Sequence, residues 1–352
     1  MSRDEILLEY DRNIKTLENI SQAVLSLINT LLTSENIDAH TVSCRVKDRD
    51  SLVKKIEKKD KYIKLEEITD IVGIRIITHY SDDVDTIATL LEKEFSIDED
   101  NSIDKRQVLD PDRFGYLSLH YVAEFNKERL KLMEYKAFQG LKFEIQIRSI
   151  LQHTWAEIEH DIGYKTKSEI PKEIRRQFSR LAGLLEIADN EFVNIRTSLD
   201  DYEKHVEKTI SESPENIYID AISLYMFINT GKVVKEIDSK IAKELNCELY
   251  SIDQDRATKL VKYIEYFGIS TISELAKILL INKLEIIKAI EVMRLREGPP
   301  LNGEIPKGVS LRFLSYVLAS KSLSENEYEN FIKVMRLTPD FDEYLRELKN
   351  SL

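Results

Sequence analysis

LKFEIQIRSILQHTWAEIEHDIGYK, residues 141–165, changes its hydrophobic period halfway along, and that change decides the fold. Leu141, Phe143, Ile145 and Ile147 alternate with Lys142, Glu144, Gln146 and Arg148, which is the period-two pattern of a strand with one buried face. The opposite face then carries a carboxylate, an amide and a guanidinium, each about 7 Å from the next. A merely solvated strand face would show the same alternation. From Ser149 the period is helical, with His153, Glu157 and Asp161 on one face and His160 and Tyr164 on a neighbouring one. His120, His153 and His160 are three of the six histidines in 352 residues, so titratable groups gather at this strand–helix unit as they do at functional sites.

The rest of the chain supplies the frame. Residues 4–32 place Ile6, Leu7, Tyr10, Ile14, Leu17, Val24, Leu27, Ile28 and Leu31 at helical spacing and predict one long amphipathic helix. Residues 68–80, ITDIVGIRIITHY, are rich in β-branched side chains and read as a buried strand. Arg75 inside it requires an anion, because an unpaired charge there is costly. Asp70 is one candidate, although alternation puts the two on opposite faces. A helix is expected over 83–95, strands over 103–109 and 117–125 around a turn at 110–115, and a further helix over 127–138. In GYLSLHY, Tyr116, Ser118 and His120 share one strand face. Pro171 opens a long helix whose apolar stripe, running from Ile174 to Val206, is a packing face.

A boundary falls at Ser211–Pro214, giving an expected catalytic domain at 1–210 and a helical domain at 211–352. Helices are expected around 257–266, 273–280, 283–295, 309–320 and 324–337. Residues 271–293 fit a helix-turn-helix poorly, since the second helix is not notably basic and the turn lacks glycine.

Ten glycines and seven prolines argue against a large all-β fold. No apolar run reaches membrane-spanning length, and acidic residues in MSRDEILLEYDRN replace the apolar core of a signal peptide. With Cys44 and Cys247 far apart, neither a zinc site nor a disulfide framework is suggested. These features predict a cytoplasmic protein without a membrane partner. A net charge of −12 disfavours general nucleic-acid binding. Between Arg45 and Lys64, however, nine basic residues face four acidic ones. Lys47, Ser51, Lys54 and Lys58 lie close to one helical face, where cations could converge on a polyphosphate. A solvated helix face would look similar.

ITDIVGIRI at 68–76, FGYLSLHYV at 114–122 and FEIQIRSILQHTWAEIEHDIGYK at 143–165, in this order, resemble the synthetase domain of the RelA/SpoT family. Arg45, Lys47, Ser51 and Lys54 match that family's basic opening motif. The resemblance spans roughly residues 1–205 and leaves too little chain for a preceding hydrolase domain. It implies an α/β (α+β), nucleotidyltransferase-like mixed sheet of four to five strands flanked by helices, followed by a mainly helical C-terminal domain. The implied reaction is that of an alarmone synthetase, transfer of the β,γ-pyrophosphate of ATP to the ribose 3′-hydroxyl of GDP or GTP.

By the same resemblance, Asp70 and Glu144 hold Mg²⁺, with Glu144 near the attacking hydroxyl and Gln146 orienting the ribose. Arg45, Lys47, Ser51, Lys54, Arg75 and Arg148 bind ATP or its phosphates, with Arg45 a candidate for stacking on adenine. Tyr116 stacks on the acceptor base near His120 and Lys165. His153, Glu157, His160 and Lys165 belong either to the site wall or to a network anchoring the helix.

Leu117 stands where the family often has Arg or Gln, and Asp112 where it has Lys. Both departures lie on the acceptor side. Some similar members carry a fused domain that restrains a toxic synthetase and senses phage. In those the acceptor is the tRNA 3′ end or an adenine nucleotide. The layout therefore allows a homo-oligomer and a phage or cellular protein acting on the C-terminal domain, which is expected to pack over the acceptor face. An inactive nucleotide-sensing module is a third reading, and the paired Asp70 and Glu144 argue against it.

Overall fold

The computed structural model describes residues 3–59, 62–104, 118–165, 171–212, 217–298, 300, 302–338 and 340–352. The chain divides into two compact units, Met1–Arg196 and Thr197–Leu352.

In the first unit the period-two stretches become a mixed sheet. Its strands are β1 (Ala39–Val46), β2 (Val72–Thr78), β3 (Phe95–Ile97), β4 (Ile103–Asp104), β5 (Leu119–Phe125) and β6 (Phe143–Ser149). The spatial order is β1-β2-β6-β5-β3, with β4 also paired to β5. Only β2 and β6 run parallel. The chain makes that crossover through α3 (Asp83–Glu94), β3, β4 and β5. Ile74, Ile76, Ile145 and Ile147 are buried on one sheet face with α1 (Arg3–Ser34) and α3. Phe95, Phe125 and Phe143 cluster at the far edge in tilted and edge-to-face contacts, with ring centroids 5.5–5.8 Å apart. α1 contributes Ile6, Leu7, Tyr10, Leu17, Val24 and Ile28 to that core, as its periodicity predicts.

Several expectations are corrected. Among the described residues the sheet has six strands, not four to five. β1 and the short β3 lie where the sequence suggested neither, and 127–138 forms two short 3₁₀ turns at Arg129–Lys131 and Lys136–Phe138 in place of a helix. Beyond Asp104 the strand expected over 103–109 lies outside the described residues, as does the turn at 110–115.

The remaining helices begin with α2 (Arg49–Lys59), α4 (Ile150–Lys165) and α5 (Lys172–Glu212). The unit boundary falls inside α5. Its apolar stripe is not a uniformly buried face, because Leu181, Phe192, Ile195 and Leu199 are exposed while Ala182 and Asp189 are buried.

The second unit is helical. It comprises α6 (Ala221–Thr230), α7 (Lys232–Leu245), α8 (Gln254–Glu265), α9 (Ile272–Ile281), α10 (Lys283–Glu297), α11 (Val309–Ser322), α12 (Glu325–Met335) and α13 (Phe341–Ser351). α6, α7 and α13 were not singled out from sequence. Neither was the parallel pair β7 (Glu248–Tyr250) and β8 (Glu304–Pro306). Asp238, buried in α7, accepts from the backbone N–H groups of Gly308 and Ser310 at 2.6 and 3.0 Å and so caps α11.

Gly231 joins α6 to α7 where a Cβ would meet the Phe227 carbonyl oxygen at 2.5 Å and the Phe227 ring at 2.8 Å. Gly231→Ala should therefore cost about 1–3 kcal/mol through overpacking. A chemical-denaturation curve of the full chain checks this, and an unchanged transition would show that the junction relaxes freely.

Candidate active site

Sheet register assembles the site. Arg45 pairs with Gly73, and Gly73 with Glu144. Ser43 pairs with Arg75, Arg75 with Gln146, and Gln146 with His120. Neighbouring strands lie about 4.8 Å apart and alternate residues share a face, so these side chains form two adjacent rows opposite the apolar core. All of them but His120 line a cavity of about 130 Å³ with Asp70, which sits in the turn before β2. Gly73 keeps its centre low, and the Arg45 side chain passes 3.9 Å from where a Cβ would stand.

Two carboxylates dominate the cavity. Asp70 Oδ2 lies 3.2 Å from Lys47 Nζ and 2.6 Å from Lys55 Nζ. Burial opposes its ionisation, yet the two ammonium groups hold its carboxyl below the usual range. Its other oxygen, Oδ1, is buried with no hydrogen-bond partner among the described residues. Glu144 Oε1 lies 2.9 Å from Nδ1 of His120, and Gln146 donates its amide to Oε2 at 3.0 Å. Burial again pushes the carboxyl up, and so does Asp70, but the His120 hydrogen bond and charge and the Gln146 amide bring it below the ordinary value. Both groups are therefore ionised at neutral pH.

Arg75 finds its anion in Glu157 of α4, at 3.1 Å, rather than in Asp70. Arg148, buried at the end of β6, lies 3.7 Å from the same carboxylate, and His153 Nδ1 lies 3.9 Å from it. Burial followed by the nearby Arg148 and Arg75 lowers the His153 pKa and keeps the ring neutral at pH 7. Glu157 and His153 thus join the network that fixes α4 to the sheet, while His160 is exposed. Trp155 anchors the other side of α4, donating Nε1–H to the Phe178 carbonyl at 3.3 Å.

Of the basic motif, Arg45 reaches the cavity and Lys47 reaches Asp70. Lys54 is exposed, and its neighbour Lys55 makes the contact to Asp70. The helical face drawn through Lys47 and Lys54 misled here, because Lys47 lies between β1 and α2, directly after the strand. Buried Leu52 and Ile56 turn Lys55 inward and were the available signal. Ser51 is exposed on α2, its N–H held by Asp48 at 2.8 Å. Of the residues expected on the acceptor side, Tyr116, Leu117 and Asp112 lie outside the described residues. Lys165 closes α4, and its side chain lies outside them too.

Known proteins point the same way as this arrangement. Residues 44–169 match the family described as the region found in RelA / SpoT proteins. The chain is 31% identical over 184 residues to the GTP pyrophosphokinase YwaC of Bacillus subtilis, covering 51% of this chain and 83% of that protein. To the GTP pyrophosphokinase YjbM of the same organism it is 28% identical over 159 residues, 44% of this chain and 71% of that one. Among solved structures, small alarmone synthetase 2 of B. subtilis is 25% identical, with a TM-score of 0.46 over 54% of this chain and 99% of that one. The chain belongs to the RelA/SpoT family.

Replacing His120 by Ala leaves burial of Glu144 unopposed from that side, so its carboxyl should titrate at higher pH than in the parent. Carbon-13 NMR of the Glu144 carboxyl in both proteins measures the midpoints. The parent value should lie below the ordinary 4.5. Coincident midpoints would refute the hydrogen bond as the cause of the shift.

Proposed function

We propose that this chain is a pyrophosphokinase that transfers the β,γ-pyrophosphate of ATP to the ribose 3′-hydroxyl of GDP or GTP. The observation that carries the reading is one cavity lined by two ionised carboxylates and two arginines, with one carboxylate oxygen lacking a hydrogen-bond partner among the described residues. The names of the two Bacillus relatives support it. A module that only bound nucleotide would not need Asp70 and Glu144 kept charged against their burial.

Mg²⁺ fits this donor set. Asp70 Oδ1 and Glu144 are hard oxygen donors on one cavity, and no group of three or more acidic, histidine or cysteine side chains among the described residues could complete a cage. One or two carboxylates with substrate phosphates and water are the usual Mg²⁺ environment. The ion would offset charge on the transferred phosphates.

The chain's own residues supply the rest. Arg45 and Arg75 face the cavity and bind the phosphates, with the Arg45 guanidinium a candidate to lie against the adenine ring. Lys47 and Lys55 hold Asp70 ionised and in place. Gln146 positions the ribose beside Glu144. The 3′-oxygen attacks the β-phosphorus and a new O–P bond forms. The bond from that phosphorus to the α,β-bridging oxygen breaks, and AMP leaves with the electron pair. Glu144 takes the hydroxyl proton, which a carboxylate ionised at neutral pH can accept. Arg75 and Arg148 stabilise charge spread over the transferring oxygens.

Glu144→Gln keeps the shape and removes the charge. Turnover should fall by about 10²–10⁴-fold, while ATP affinity changes only a few-fold. Label transfer from γ-³²P-ATP to GDP, GTP, AMP, ATP and bulk tRNA, offered separately, reads both the loss and the acceptor. Comparable activity in the variant would sink the role given to Glu144. Label on tRNA alone would overturn the guanosine acceptor and leave the donor chemistry standing. The same assay on a chain ending near Ser213 tests residues 211–352 as a regulatory domain, and an unchanged rate and acceptor choice would remove that role.

A further inference from the structure

The second unit holds a cavity of about 430 Å³ among α8, the end of α10, β8 and the start of α11. Leu260, Ile290, Met293, Phe313 and Tyr316 give it an apolar and aromatic floor. Four cations stand on its wall: Arg256, Arg294, Lys307 and Arg312. Acidic residues outnumber basic ones in this unit, so the concentration of positive charge here runs against its surroundings.

The partners of these cations are the informative feature. Arg256 donates to the Tyr250 hydroxyl at 2.8 Å and lies 5.6 Å from that ring's centroid. Arg294 donates to the Glu244 carbonyl at 3.1 Å, and Lys307 to the Ser251 hydroxyl at 3.0 Å. Arg312 donates Nε–H to the Tyr316 hydroxyl. Among the described residues none of the four is in an ion pair. Elsewhere in the unit cations do find carboxylates, as Arg296 does with Glu343 and Lys321 with Glu285. Glu297 is the one carboxylate among the lining residues, and it lies beyond ion-pair distance of Arg312. Neutral hydrogen bonds orient these cations without cancelling their charge.

We infer that this pocket binds an organic phosphate of nucleotide size, with the phosphates on the arginines and the planar body on the apolar floor. Guanidinium forks match phosphate oxygens in pairs, and aromatic floors accept planar rings. The volume falls within the range of about 300–1,000 Å³ typical of small-molecule sites. The inference stands on the C-terminal unit alone and does not require the proposed transfer reaction.

Hydrogen–deuterium exchange on the full chain tests it, with GTP, ATP, ribose 5-phosphate and inorganic pyrophosphate as separate probes. A nucleotide should slow exchange at 256–260, 290–297 and 305–316, with half-saturation below 1 mM. Arg294→Glu combined with Arg312→Glu should weaken that protection tenfold or more and leave protection at β2 and β6 in place. Thermal unfolding reports whether the double variant folds, and Arg256→Glu alone serves if it does not. Absence of protection by every probe overturns the pocket as a ligand site, as does protection unchanged by charge reversal. Equal protection by pyrophosphate and by nucleotides overturns the nucleotide-sized assignment.

Discussion

The parallel pairing of β2 with β6 is the constraint on which the rest of the first unit depends. Its register sets Gly73 against Glu144 and Arg75 against Gln146. Strand side chains alternate between faces, so a slip of one residue would drive Glu144 into the apolar core and turn Ile145 toward the cavity. Burying Ile74, Ile76, Ile145 and Ile147 therefore also places the charged rows. The hydrophobic effect, which has no chemical specificity of its own, fixes the geometry of the polar face.

That face places charges in partly dry surroundings, and each is balanced from a different direction. Lys47 is held for Asp70 by its own backbone, since its N–H bonds the Ile71 carbonyl at 2.7 Å and its carbonyl accepts from the Tyr10 hydroxyl at 2.7 Å. Arg75 depends on Glu157, hence on α4. α4 in turn depends on Trp155 against α5, and the end of β6 on the Ser149 hydroxyl, which donates to buried Asp189 at 2.6 Å. Helices distant from the cavity thus act on it through single contacts. Loss of one such contact strands a charge, which costs more than the hydrogen bond itself is worth.

How much of this is legible in sequence depends on how local its cause is. α1, β2, β6 and α4 declare themselves by period, because burial of one face writes itself into consecutive residues. β1 does not, since its burial alternates only between partial and open, and AHTVSCRV carries little hydrophobic contrast. The turns at Arg129–Lys131 and Lys136–Phe138 carry helix-like spacing in a segment too short to propagate a helix. Asp70, Glu144, Gln146 and Arg75 are visible as polar residues inside apolar strands. Their partners are not. That Arg75 meets Glu157 rather than Asp70, and that Lys55 rather than Lys54 meets Asp70, depends on how α2 and α4 dock. No local pattern records docking.

The two cavities handle positive charge in opposite ways, and this bears on what each can gain from an anion. Around Asp70 the ammonium groups of Lys47 and Lys55 are already paired, as Arg75 is with Glu157. A phosphate arriving there must share cations with carboxylates, so its net gain per contact is reduced by the attraction it displaces. In the proposed reaction such a site would bind its donor through many shared contacts and adjust readily as charge moves during transfer. In the C-terminal pocket, by contrast, Arg256, Arg294, Lys307 and Arg312 would give up only neutral hydrogen bonds. An anion there would displace no ion pair of these four cations among the described residues, and Glu297 is the one lining carboxylate to oppose it. Shared cations suit turnover, whereas uncontested ones suit holding a ligand.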